Sequence, residues 1–167
     1  AGRKGSGDLL TAAKEWATHF DVPYIERASK GSLEELRQQN NLDAILVATA
    51  DGPQIYNNEG TFFYHPGMAV LRLQRLKNNE HYHFAQALEL REGMRVLDGT
   101  LGLAGDAAIA SYLVGEKGKV VGVEASILLH FVVENGLRSY EAEDPDLTNA
   151  LRRITMVQAT AEEYLET

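Results

Sequence analysis

The chain has 167 residues, 44% hydrophobic and 24% charged, with no cysteine and a formal net charge of −8, which suits one domain, or a small domain joined to part of a larger one, of ordinary soluble composition. The lack of cysteine excludes disulfides, thiolate metal sites and a cysteine nucleophile and fits a reducing cytoplasm. No apolar run is long enough to span a bilayer, so no membrane partner is expected, and the acidic balance makes any nucleic-acid contact either local or external to this chain.

In chain order, "AGRKGSG" has too little apolar surface to fold and reads as a flexible basic arm or an expression remnant, with Arg3 and Lys4 its cations. From Asp8 the residues Leu9, Ala13, Trp16, Ala17 and Phe20 recur at helical spacing, and Val22-Pro23 follows where a helix stops. Ser32 with Glu35 is a reciprocal cap that opens a second helix ending near Asn40. Three extended runs follow, "AILVAT", "QIY" and "TFFYH", separated by turn residues at Asp51-Gly52 and from Asn57 to Gly60. These elements predict a small α+β module with a meander sheet. Phe62, Phe63 and Tyr64 could stack on a base, though an aromatic strand usually belongs to a core.

Met68 to Leu76 and His81 to Leu88 read as two helical pieces joined by the polar turn from Lys77 to Glu80. Arg72 and Arg75 share a helix face near Lys77 and are candidates for substrate binding, able to meet a phosphate or the cofactor carboxylate, although a solvated helix face is the plainer explanation. His65 before Pro66 is a candidate polar group on the substrate side. His81 and His83 find no third ligand at useful spacing, so no metal site is expected. Beyond this point "RVLD", "KVVGVE" and "ITMVQA" read as strands alternating with helices from Asp106 to Val114 and from Ile127 to Tyr140, the signature of parallel βαβ units. "EAEDPD", Glu141 to Asp146, reads as a solvated acidic loop. Thr160 with Glu163 is another capping box. Three parallel strands would be a small complete sheet, so the expectation is the front portion of a longer protein. The resulting division is an α+β module over residues 1–66, a helical linker over 67–92 and a partial Rossmann-like parallel α/β sheet over 93–167.

The informative stretch is "VLDGTLGLAGDA", Val96 to Ala107, a glycine-rich turn between strand and helix. Such turns let a ligand approach the backbone. A dinucleotide would place pyrophosphate at the helix start, and "GLAGDA" with Glu124 loosely mimics that fingerprint. Asp98 and Asp106 would then both crowd the phosphates, which is electrostatically costly. S-adenosylmethionine reverses the sign, because it presents a sulfonium and an ammonium. Asp98 could then accept from the amino group, Gly99, Thr100 and Gly102 could admit the ligand, and Glu124 could accept ribose hydroxyls. Asp106 and Asp98 could instead serve the helix start and the strand end.

"LELREGMRVLDGTLGLAGDA" resembles the lead-in and first motif of class I S-adenosyl-L-methionine-dependent methyltransferases. With "VVGVEAS" and "VVENGLRSY" it is similar to the bacterial 16S ribosomal RNA guanine-N2 methyltransferase family and its uncharacterised relatives over Gly93 to Leu165. "FFYHPGMAVLRLQRL" is similar to the lead-in domain of those relatives. The resemblance implies a Rossmann-like fold and cofactor contacts at Asp98, Gly99, Thr100, Gly102, Leu103 and Asp106, then at Glu124 and Ala125. It also implies a contact at Thr160, where many such enzymes carry a carboxylate instead. Ala104 stands where the motif usually has its second glycine, with Gly105 adjacent. The motif that receives the target base is expected beyond Thr167, so no residue here is assigned a catalytic role. Three readings therefore stand: a methyltransferase acting on ribosomal RNA, one acting on a small molecule, and a nonenzymatic nucleotide- or dinucleotide-binding module.

Overall fold

The computed structural model describes residues 7–27, 31–80 and 83–166, and the chain divides into two compact units between Phe63 and Tyr64. Arg3, Lys4 and His81 lie outside the described residues. No helix among the described residues is long and apolar enough to cross a membrane.

In the first unit, α1 spans Gly7–His19 and α2 spans Leu33–Gln39, followed by β1 (Ala44–Thr49), β2 (Gly52–Asn57) and β3 (Gly60–Phe63). The strands form an antiparallel meander in the order β1-β2-β3, with Ile45 opposite Tyr56 and Ile55 opposite Phe62. Ser32 and Glu35 close the capping box of α2 in both directions, at 3.0 and 2.9 Å. Val47 and Ala48 are buried, whereas Phe63 remains 51% exposed. The third strand is shorter than "TFFYH", because Tyr64 belongs to the second unit and lays its ring against Gly136, where there is no room for a Cβ. Burial also holds the Tyr64 phenol well above its ordinary pKa.

The second unit contains α3 (Gly67–Lys77), α4 (His83–Ala87), β4 (Arg95–Asp98), α5 (Gly105–Val114), β5 (Lys119–Glu124), α6 (Ile127–Ser139), α7 (Pro145–Arg152), β6 (Ile154–Gln158) and α8 (Ala161–Leu165). Its sheet is parallel in the order β4-β5-β6, with Asp98 level with Gly122 and Glu124 with Gln158. Parallel register puts every strand-to-helix turn on one edge. α5 is buried through Ala107, Ala108, Ile109, Ala110 and Val114, in a core shared with Leu73, Val120, Val133, Leu147 and Leu151. An all-round apolar helix is what a central layer requires. The buried Ser111 hydroxyl donates to the Ala150 carbonyl at 2.7 Å, so its polar group is satisfied.

One expectation is corrected. "EAEDPD" is not only a solvated loop, because α7 begins inside it. Asp144 caps that helix by accepting from the Asp146 N–H at 3.0 Å, and Pro145 occupies its first position. Lys77, the last residue of α3, then bonds Asp144 at 2.7 Å and Asp146 at 2.6 Å. These bonds, that to Asp144 foremost, raise the lysine pKa, and the lysine lowers that of Asp144. The acids therefore tether α3 to α7 and open the helix whose buried residues are Leu147, Ala150 and Leu151.

Candidate functional site

The turn from β4 to α5 is fixed by bonds that its backbone N–H groups donate to carbonyls and to two carboxylates. Thr100 N–H donates to Asp98 Oδ1 at 3.1 Å, and Leu101 N–H donates to the Val123 carbonyl of β5 at 2.9 Å. The Leu101 side chain is buried over Gly122, where it leaves no room for a Cβ. Glycine is required there by close packing, not by an unusual φ. Gly102 has a φ of 51° and Ala104 a φ of 60°, both left-handed. Ala104 thus adopts the conformation that a glycine favours at this point, and its methyl is buried. Gly105 does not take over that role, since it is already the first residue of α5.

Glu124, the last residue of β5, joins two turns. Its Oε2 accepts from Gly102 N–H at 3.2 Å and its Oε1 accepts from Ser126 N–H at 2.9 Å. Ala125 follows, and its carbonyl accepts from the Gln158 side chain at 3.1 Å. Asp98 and Glu124 therefore stand at the same edge of adjacent strands, on either side of the glycine loop. Gly99 is approached by α8, whose Ala161 Cβ would be 3.3 Å from a Cβ at position 99. Thr160 caps α8: its hydroxyl accepts from Glu163 N–H at 3.2 Å and donates to Glu163 Oε2 at 3.0 Å.

A cavity of about 730 Å³ opens beside the loop, and roughly 300–1,000 Å³ is usual for a small-molecule site. Asp98, Gly99, Thr100, Leu103 and Asp106 line it from the loop and α5, and His65, Met68, Arg72, Phe84 and Leu88 from the segment preceding β4. Glu124, Ala125 and Thr160 are not part of its wall. Arg72 pairs with Asp106 across α3 and α5. Arg75 lies away from the cavity, 3.9 Å from Glu80 and largely exposed. His65 stands edge-on to Tyr140 at 5.7 Å and borders both this cavity and a smaller one of about 310 Å³. His83 begins α4. Sequence reasoning did not single out Met68, Phe84 and Leu88 as apolar walls, nor the partner of Arg72. Helical periodicity at Met68 and Leu88 was the available signal, but it does not tell a core face from a cavity face.

Residues 77–159 match the family model described as protein-L-isoaspartate(D-aspartate) O-methyltransferase, PCMT. The uncharacterized protein YpiP of Bacillus subtilis (strain 168) is 35% identical over 162 residues, 96% of this chain and 62% of that protein. The chain thus spans less than two thirds of the curated relative it matches. The fold is similar to that of a SAM-dependent methyltransferase from Neisseria gonorrhoeae, with a TM-score of 0.58 and 14% identity over 93% of this chain and 58% of that one. At that identity the likeness is one of fold.

Proposed function

We propose that this protein takes part in transferring a methyl group from S-adenosylmethionine to an acceptor, a reading supported by the match of residues 77–159 to a methyltransferase family model and by a fold shared with a SAM-dependent methyltransferase. The observation that carries the reading is the pair of carboxylates, Asp98 and Glu124, flanking a glycine loop that Glu124 itself ties down. Acceptor-only groups at that edge suit an ammonium, a sulfonium and ribose hydroxyls, and they repel phosphates. The residues present therefore fit the cofactor. Asp98, Gly99, Thr100, Gly102, Leu103 and Asp106 would hold one end of it, and Glu124 and Ala125 the nucleoside end, while the Thr160 hydroxyl is taken up by Glu163 in capping α8. When bound, the cofactor supplies a methyl group made electrophilic by its positive sulfur. The chain supplies position: Glu124 fixes the turn, the loop admits close approach, and the cavity beside Asp98 offers the acceptor a route.

For the acceptor, the resemblance of the first and second motifs supports the N2 of a guanine in ribosomal RNA, methylated in the cytoplasm. A second reading, a small-molecule acceptor, is favoured by the state of the α3 cations. Arg75 and Lys77 each lie against carboxylates, of Glu80 and of Asp144 with Asp146. Such pairs offer less to a phosphate backbone than free cations do.

Calorimetric titration with S-adenosylhomocysteine and, separately, NAD tests the cofactor. Binding of the former without the latter is expected; NAD binding alone would replace this reading with that of a dinucleotide-binding module. Incubation with methyl-labelled cofactor then separates the acceptors: label in ribosomal RNA supports the first, and label confined to low-mass products supports the second.

A further inference from the structure

The cavity beside the glycine loop is lined by two carboxylates, Asp98 and Asp106, and one guanidinium, Arg72. Asp98 ends β4 on one side, and Arg72 reaches in from α3 on the other. Arg72 follows the buried Ala69 and precedes the buried Leu73, so the packing of α3 delivers its guanidinium to the first turn of α5. There Nη1 donates to Asp106 Oδ1, and a Cβ at Gly105 would stand 3.5 Å from the same nitrogen. The guanidinium thus crosses a stretch of backbone that carries no side chain. Its own side chain is 26% exposed and that of Asp106 is 50% exposed, so the pair is neither sealed in the core nor free on the surface.

An acid and a guanidinium facing one cavity complement a molecule that carries an ammonium and a carboxylate on a single carbon. A planar guanidinium can be steadied by one carboxylate while its remaining N–H groups donate to the oxygens of another. We propose that Arg72 binds the carboxylate of the amino-acid end of the cofactor, and that Asp106 is a positioning residue that holds the guanidinium across the loop. This rests on the cofactor reading above. Of the two ligands the sequence leaves open for Arg72, a phosphate and the cofactor carboxylate, it selects the second, and it leaves the ammonium to Asp98.

Two ligands isolate the contact. S-adenosylhomocysteine carries the amino-acid end, whereas 5′-methylthioadenosine keeps the adenosine and the sulfur without it. Arg72→Ala should weaken the first about ten- to a hundredfold, the usual range for a lost charged hydrogen bond, and leave the second unchanged. Arg72→Lys, which keeps the charge without the fork, should fall between wild type and Arg72→Ala. Asp106→Asn should weaken S-adenosylhomocysteine less than Arg72→Ala does. Retained binding of 5′-methylthioadenosine serves as the check that each variant is folded. Equal weakening of both ligands would show that Arg72 acts only through the shape of the loop, and an unchanged affinity for both would remove it from the site; either result overturns the proposal. Failure of the wild-type chain to bind either ligand would instead overturn the cofactor reading, and this proposal with it.

Discussion

Three helices begin at the same edge of one parallel sheet, and they begin differently. α6 and α8 are capped by their own side chains: Ser126 accepts from Leu129 N–H at 3.3 Å, and Thr160 and Glu163 exchange bonds in a capping box. α5 starts instead from Ala104, in a left-handed conformation and with no side-chain cap. A cap is worth about 1 kcal/mol, and a left-handed alanine costs roughly 1–2 kcal/mol. Burying the Ala104 methyl returns about 0.8 kcal/mol, so the junction remains less favourable locally than its two neighbours. The carboxylates near this junction serve other partners, Asp98 the loop at Thr100 and Asp106 the guanidinium of Arg72. Among three equivalent junctions, the one that forgoes local stability is the one lined by the large cavity, which is the pattern expected where a site competes with folding.

The sharpest way to break that comparison is Glu124→Ala. The substitution leaves Gly102 N–H and Ser126 N–H without their acceptor and removes a carboxylate from the site. Loss of S-adenosylhomocysteine affinity by about a hundredfold is expected, with a fall in stability of roughly 1–3 kcal/mol from the unsatisfied donors. Calorimetry and chemical denaturation measure the two separately. Glu124→Gln keeps a neutral acceptor, so it should recover much of the stability and less of the affinity. An undiminished affinity in Glu124→Ala would mean that the loop is not organised from β5. Ser126→Ala addresses a capped junction and should do the reverse: a loss of about 1 kcal/mol in denaturation with ligand affinity unchanged.

Local signals carried most of the fold. Both capping boxes, the three-stranded meander and the strand-to-helix alternation follow from residues a few positions apart, and the structure has them where short-range chemistry places them. α7 shows what obscures such a signal. Asp144-Pro145 is a proper helix start, and Leu147, Ala150 and Leu151 are its buried stripe, yet four acids in six residues make the segment look solvated. What makes those acids tolerable is Lys77, 67 positions earlier in the chain. The pairing of Arg72 with Asp106 spans 34 positions and is equally silent in the sequence. In the loop itself, the carboxylates and glycines were legible as types. That Ala104, not Gly105, carries the left-handed turn depends on packing of its methyl against the core, which no spacing rule encodes.

The smallest expected effect concerns Thr160, and it separates capping from ligand contact. The Thr160 backbone N–H, and after it the hydroxyl, stabilise the Glu163 carboxylate and lower its pKa below the ordinary value. A lowered folded-state pKa means that the box stabilises α8 fully above the ordinary carboxyl range, near about 4.3, and loses that contribution as the pH falls through the folded value. Tyr164 N–H, which donates to the Thr160 carbonyl at 3.1 Å, reports the box by NMR. Its shift should move in the acid range in the wild type and stay flat in Glu163→Gln. Thr160→Ala should loosen α8 to a similar degree. Because the hydroxyl both accepts from and donates to Glu163, S-adenosylhomocysteine should bind Thr160→Ala and Glu163→Gln equally well. A weaker affinity in Thr160→Ala alone would show that the hydroxyl leaves its cap to meet the ligand, and the third junction would then join the first as part of the site.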